Sequence, residues 1–227
     1  MARAAITPGA DVSAPVFLPA TSHGPSMASR LAGARAIARR WLVVYVPVAA
    51  LILGVSTVAG FLLGSAVPVE SLSTTESGGS SPLFPPLTTL GLATNNLTAM
   101  LVLLLGAVSI GLVTLLGLVV NGLLIGAVVG IAVQQVDPLV VAMLIVPHGV
   151  LEIPALLIAS AIGLRFARRT VRYIRGLEPD LVTRRDLCEA GWLVAVAAVL
   201  IVVAAYIEAN VTLELAERVA GEELISE

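Results

Sequence analysis

Residues 96–133 read NLTAMLVLLLGAVSIGLVTLLGLVVNGLLIGAVVGIAV, thirty-eight residues without a charge. A membrane-spanning helix needs ~20 apolar residues, so this run is either one overlong span or a tight pair. The rest of the chain decides between them. Seven arginines lie between Arg165 and Leu187, and Arg30, Arg35, Arg39 and Arg40 precede the first apolar helix. Basic segments flanking spans stay on the cytoplasmic side. Two spans in 96–133 put both basic segments on one side, and one span would separate them. The sequence therefore predicts two spans, 96–113 and 116–133, turning around Gly111–Gly117. A re-entrant pair of half-helices would give the same parity.

Composition agrees with a membrane protein. Of 227 residues, 58% are hydrophobic and 12% charged, about half the charge of a soluble domain. Mean hydropathy is +1.00. Further spans are expected at 41–66, 139–164 and 190–207. The fold class is all-α, a polytopic helical bundle of about five transmembrane helices plus interfacial helices. Residues 1–26, rich in Pro, Ala, Ser and Thr, read as a disordered tail. Residues 27–40 space Leu31, Ala34, Ile37 and Ala38 along one helical face, which fits an interfacial helix. Residues 208–227 hold six glutamates and one arginine and read as an acidic tail on the outer side. The expected setting is the plasma membrane, with the amino terminus cytoplasmic and the carboxyl terminus outside. Net charge is −2, so the lipid bilayer, and not nucleic acid, is the expected partner. The single cysteine, Cys188, excludes an internal disulfide.

The chemistry concentrates in Pro147-His148-Gly149-Val150-Leu151-Glu152. Four residues apart, His148 and Glu152 share a helix face. Ionisable groups at membrane depth are costly and mark function by default. Continuing that face reaches Ala155, Ala159 and Gly163, all small, so it should pack on another helix. Pro154 leaves the Val150 carbonyl without its helical donor. Three roles fit: a satisfied polar clasp between helices, a proton or ion relay, or a metal site. The last lacks ligands, because the other histidine, His23, lies in the tail, so no metal and no cofactor are expected.

Asn95 and Asn96 are expected to cap the start of the second span, or else to face His148. Asn121 falls in the inner half of the third. Gly122, Gly126 and Gly130 make a ridge that lets helix backbones meet closely, within the chain or in a homodimer. Arg165, Arg168, Arg169, Arg172 and Arg175 form one basic face, expected to sit on anionic lipid headgroups.

Taken together, Asn95-Asn96, Gly106, Gly111, Asn121-Gly122, Gly126 and Pro147-His148-Gly149 with Glu152 resemble the stage II sporulation protein M family, over about residues 59–176. The resemblance implies a non-enzymatic, multi-spanning membrane protein. The small-residue ridges, short loops and absence of an assembled catalytic set point to a scaffold or component of a cell-envelope complex, with other envelope membrane proteins or a second copy as partners. The alternative is a proton-responsive transporter or channel subunit using His148 and Glu152.

Overall fold

A computed structural model describes residues 27–68 and 88–212. The tail over 1–26 and most of the acidic tail, from residue 213, lie outside the described residues. Helix α1 spans Met27–Trp41, α2 Tyr45–Ser65 and α3 Thr89–Leu104 with a 3-10 turn Leu105–Ala107. Then come α4 Leu112–Ala132, α5 Pro138–Ile174 and α6 Arg184–Ile207, the last continued by a π-helical turn Glu208–Thr212. Among the described residues there is no strand, and five helices, α2 to α6, are long and apolar enough to cross a membrane. The bundle is all-α, as composition and hydropathy require.

No more than a third of the most apolar stretch of any span is buried inside the chain. The remaining apolar surface is what lipid covers. The inward faces meet in a core drawn from all five spans: Ala49 and Leu53, Met100 and Leu103, Leu118, Ala155, Leu156 and Ala159, and Ala197 and Ile201.

Side-chain contacts fix the helix directions. A Cβ built at Gly60 would meet Leu123 O at 2.2 Å, and one at Gly64 would meet Ala127 O at 2.3 Å. Equal steps on both helices mean that α2 and α4 run parallel. A Cβ built at Gly126 would meet Thr57 O at 2.0 Å and one at Gly130 would meet Phe61 O at 2.4 Å, in the same sense. The glycine ridge is thus filled by α2 of the same chain and is not free for a second copy.

The run 96–133 does contain a hairpin, but the turn comes earlier than expected. It falls at Ser109–Gly111, where Ile110 (φ 53°) and Gly111 (φ 87°) are both left-handed. A β-branched residue at Ile110 is strained, while Gly111, the first residue of the expected turn range, closes the turn as the left-handed cap of α4. The turn rests on α5, with the Cβ built on Gly111 reaching Ala167 Cβ at 3.2 Å. Thr114, fully buried, donates to the Leu103 carbonyl at 2.6 Å and clamps the two arms. Gly106 and Gly163 lack the Cβ atoms that would strike its hydroxyl.

Helix α3 starts at Thr89, a full two turns before Asn96. Thr88 is its cap and accepts from Gly91 N at 3.1 Å. Asn95 and Asn96 are therefore helix-interior residues, which corrects the capping role. At the far end, Gln134 Nε2 reaches back to Gly64 O at 3.1 Å, joining the ends of α2 and α4.

Helix α5 is 37 residues long, ~55 Å by its rise per residue, and so outruns a ~30 Å hydrocarbon core. Its surplus is the arginine-bearing carboxyl end. There the chain folds back through residues 175–183 to α6, which opens with a capping box between Thr183 and Asp186.

Candidate functional site

Two polar centres stand at opposite ends of the bundle. At the arginine end, two carboxylates on the first turns of α6 gather the basic residues. Asp186 receives Arg169 in a close ion pair and Arg165 at 3.6 Å. Glu189 takes Arg40 at 2.7 Å, Arg185 at 2.9 Å and the Trp41 indole N–H at 2.8 Å. Trp41 is completely buried, edge-on to Phe166 at 5.4 Å, with the Arg165 guanidinium 4.4 Å from its ring. Arg165 also donates to Arg40 O at 3.0 Å. Helices α1, α5 and α6 are thereby bolted together.

This arrangement gives most of the basic stripe partners within the protein that the sequence pattern alone does not indicate. Arg165 and Arg169 belong to Asp186, and Arg172 to Glu178 at 3.0 Å. Arg168 donates to the Tyr45 hydroxyl at 3.4 Å. Of the five, Arg175 alone is exposed without such a partner among the described residues. Periodicity had located the face; the carboxylates that claim it come from a distant segment. One local signal existed, since Thr183-x-x-Asp186 is a capping-box pattern that places an acid at a helix start.

The second centre contains His148 and Glu152. Pro147 and Pro154 lie inside α5 without ending it, although each removes one helical N–H and frees the carbonyls of Met143 and Val150. The small-residue face packs inward: Ala155 and Ala159 are buried to within 1%, and Gly163 sits 2.6 Å (from its built Cβ) from Leu103 O. Gly149 is buried too, with only Ile145 and Ile153 side chains nearby.

His148 and Glu152 are joined there by a residue assigned in advance to the acidic tail. Glu208 closes α6, and the three side chains bring one potential ligand atom each to within 4.8 Å of one another. Among the described residues this is the one group of three such ligands. All three are partly buried. No hydrogen bond or ion pair joins them, and His148 Nδ1 is shut off from solvent with no partner. A satisfied clasp does not look like this, because a clasp would pair its buried donors and acceptors. The sequence signal for Glu208 was weak: it is the first charge after the apolar run of α6.

Glu208 is the first residue of the π-helical turn. Such single-turn widenings occur often at functional sites. Asn210 pins the turn by donating to Tyr206 O at 2.8 Å and to Thr89 Oγ1 at 3.3 Å. Below it, Leu92 and Ala93 of α3 pack on Ala205 and Ala209. Asn96 follows on the same α3 face, buried to 8%, and accepts from Asn95 Nδ2 at 3.2 Å. It makes no hydrogen bond to His148, Glu152 or Glu208. Asn121 lies elsewhere, donating to Gly117 O at 2.8 Å within α4, next to the Gly122 contact with Ser56 and Leu53.

Comparison with known proteins agrees with this architecture. The family described as stage II sporulation protein M matches residues 48–213, from α2 through the turn that carries Glu208. An uncharacterized protein of Methanocaldococcus jannaschii is 32% identical over 124 residues, covering 54% of this chain and 70% of its own. No solved structure matches. With the match running from within α2 to the end of the turn that carries Glu208, well over half of the chain, the chain belongs to the stage II sporulation protein M family.

Proposed function

We propose that the protein is a non-enzymatic structural component of a cell-envelope membrane complex: a rigid five-helix platform in the plasma membrane. The observation that carries this is the locking of the helices to one another. Backbone contacts along Gly60, Gly64, Gly122, Gly126 and Gly130 fuse α2 to α4, while Asp186 and Glu189 fasten α1, α5 and α6. An alternating-access carrier needs two halves that rock against each other; interlocked backbones oppose that motion.

Its orientation follows from charge. The basic segments before α2 and after α5 meet at one end, which the positive-inside rule assigns to the cytoplasm. Glu152, thirteen residues before Arg165, then lies ~20 Å from the inner boundary, in the outer half of the bilayer.

The test is flux and assembly together. Reconstituted in proteoliposomes, the protein should pass neither protons nor alkali cations. On native gels of membranes from its own source, it should migrate well above its 23.3 kDa chain mass. A flux abolished by His148→Ala in a folded protein would replace this reading with a proton-responsive transporter or channel subunit. The unpartnered ring of His148 beside two carboxylates is the observation that favours that second reading.

A further inference from the structure

We propose that His148, Glu152 and Glu208 bind one divalent first-row transition-metal ion, of the zinc or manganese type, tying the outer end of α6 to the middle of α5. The inference stands apart from the scaffold reading.

The geometry comes first. Three atoms within 4.8 Å of one another lie on or inside a circle whose radius is that distance divided by √3, about 2.8 Å. Zinc–ligand distances to imidazole and carboxylate are ~2.0–2.2 Å. Drawing the ligands in by less than about 1 Å each, a rotamer adjustment, completes the triad. The ligands come from one helix turn, His148 and Glu152 at i and i+4, plus one residue on a second helix. An i, i+4 pair on one helix face is a standard source of two ligands.

The second observation is the unclaimed ring. Metal-bound histidine must be neutral and must offer a lone pair. A buried ring nitrogen without a partner carries a desolvation cost, and His148 Nδ1 is the buried side-chain polar atom that lacks one among the described residues. Coordination to the ring, with the other nitrogen free to find a second-shell acceptor, relieves it.

Charge is the third. Two ionised carboxylates this close repel each other strongly away from water. Arg165, Arg169 and Arg40 are committed at the opposite end of the bundle, and among the described residues no cationic side chain is paired with Glu152 or Glu208. A divalent cation with two carboxylates and one neutral imidazole sums to zero, the state a membrane interior tolerates best. The nitrogen ligand selects the metal class: calcium and magnesium favour all-oxygen shells, whereas imidazole suits zinc and its neighbours. Three protein ligands leave at least one coordination position for water or a partner's side chain.

The experiment uses the full chain in detergent micelles, tag removed, in a His23→Ala, Cys188→Ser background that deletes the other histidine and the thiol. After chelation and dialysis, Co2+ is titrated and its visible absorption recorded, then Zn2+, Mn2+, Ca2+ and Mg2+ are added as competitors. The expected result is one Co2+ per chain, displaced by Zn2+ but not by equal Ca2+ or Mg2+. Glu208→Gln and His148→Ala should each weaken binding by at least ~10-fold. Zn2+ should also raise the unfolding midpoint of the unsubstituted background protein, which needs no ligand variant to fold. Absence of a stoichiometric cobalt spectrum, or equal affinity in folded Glu208→Gln and His148→Ala, overturns the proposal. Displacement by Ca2+ overturns the transition-metal assignment.

Discussion

Replacing Gly126 by alanine tests the backbone contact on which the rigid-platform reading rests. A Cβ at that position would sit 2.0 Å from Thr57 O and 2.6 Å from Phe61 N. Both are main-chain atoms of α2, so no rotamer change can make room. Ordinary van der Waals contact needs at least 3.4 Å, so α2 and α4 must part locally by about 1.4 Å. In lipid no hydrophobic force draws helices together, and close packing supplies much of the association. Overpacking of this kind costs about 1–3 kcal/mol; the all-backbone clash places Gly126→Ala near the upper end. Gly54 on the same helix pair is the control, since nothing lies within 4 Å of its built Cβ. There alanine is the better helix former by about 1 kcal/mol, so Gly54→Ala should be neutral or stabilising. Reversible unfolding in mixed micelles, followed by circular dichroism, reads both. Equal stabilities for Gly126→Ala and the wild type, or equal losses in both variants, would refute the interlock.

Other consequences follow from the same contacts. Asp186→Asn strands Arg165 and Arg169, whose side chains are 19% and 18% exposed; allowing for partial screening, unfolding free energy should fall by about 2 kcal/mol. Thr114→Val keeps the volume but removes the 2.6 Å bond to Leu103 O, and a loss of about 1–2 kcal/mol is expected in the same unfolding assay. The lone exposed thiol, Cys188, lies on the first turn of α6 beside the arginines. In intact cells a membrane-impermeant maleimide should leave it unlabelled until the membrane is permeabilised; labelling of intact cells would reverse the proposed orientation.

Much of the bundle was legible because two long-wavelength signals dominate membrane proteins, apolar run length and arginine placement. Together they gave five helices and put both basic segments at one end. The hairpin turn begins at Ser109, just before the glycines of the expected range, because a left-handed Ile110 makes the bend and Ser109 Oγ accepts from Val113 N at 3.1 Å to start α4. Asn96 lost its capping role to Thr88, which follows the paired prolines Pro85 and Pro86 and caps α3 two turns earlier. Ridge and stripe periodicities revealed which faces matter but not what meets them. The glycines of α4 found α2 and not a second copy, and Arg165, Arg169 and Arg172 found Asp186 and Glu178 before lipid. Glu208 was missed for the most physical reason of all: fifty-six residues and a whole hairpin of α5 and α6 separate it from Glu152, and only packing closes that distance.

The meeting of α6's end with the Pro-His-Gly turn of α5 is therefore the point on which the candidate site depends. It can be measured without knowing any ligand. In a Cys188→Ser background, His148→Cys and Glu208→Cys are combined and treated in membranes with a short bis-methanethiosulfonate crosslinker. Limited cleavage between α5 and α6, within residues 175–183, then shows whether the halves stay joined. Efficient joining, matched by an Arg40→Cys, Glu189→Cys pair across the opposite end and cleaved at the same place, is the expected result. Halves that separate for the His148–Glu208 pair while the Arg40–Glu189 pair holds the amino-terminal half to α6 would contradict it.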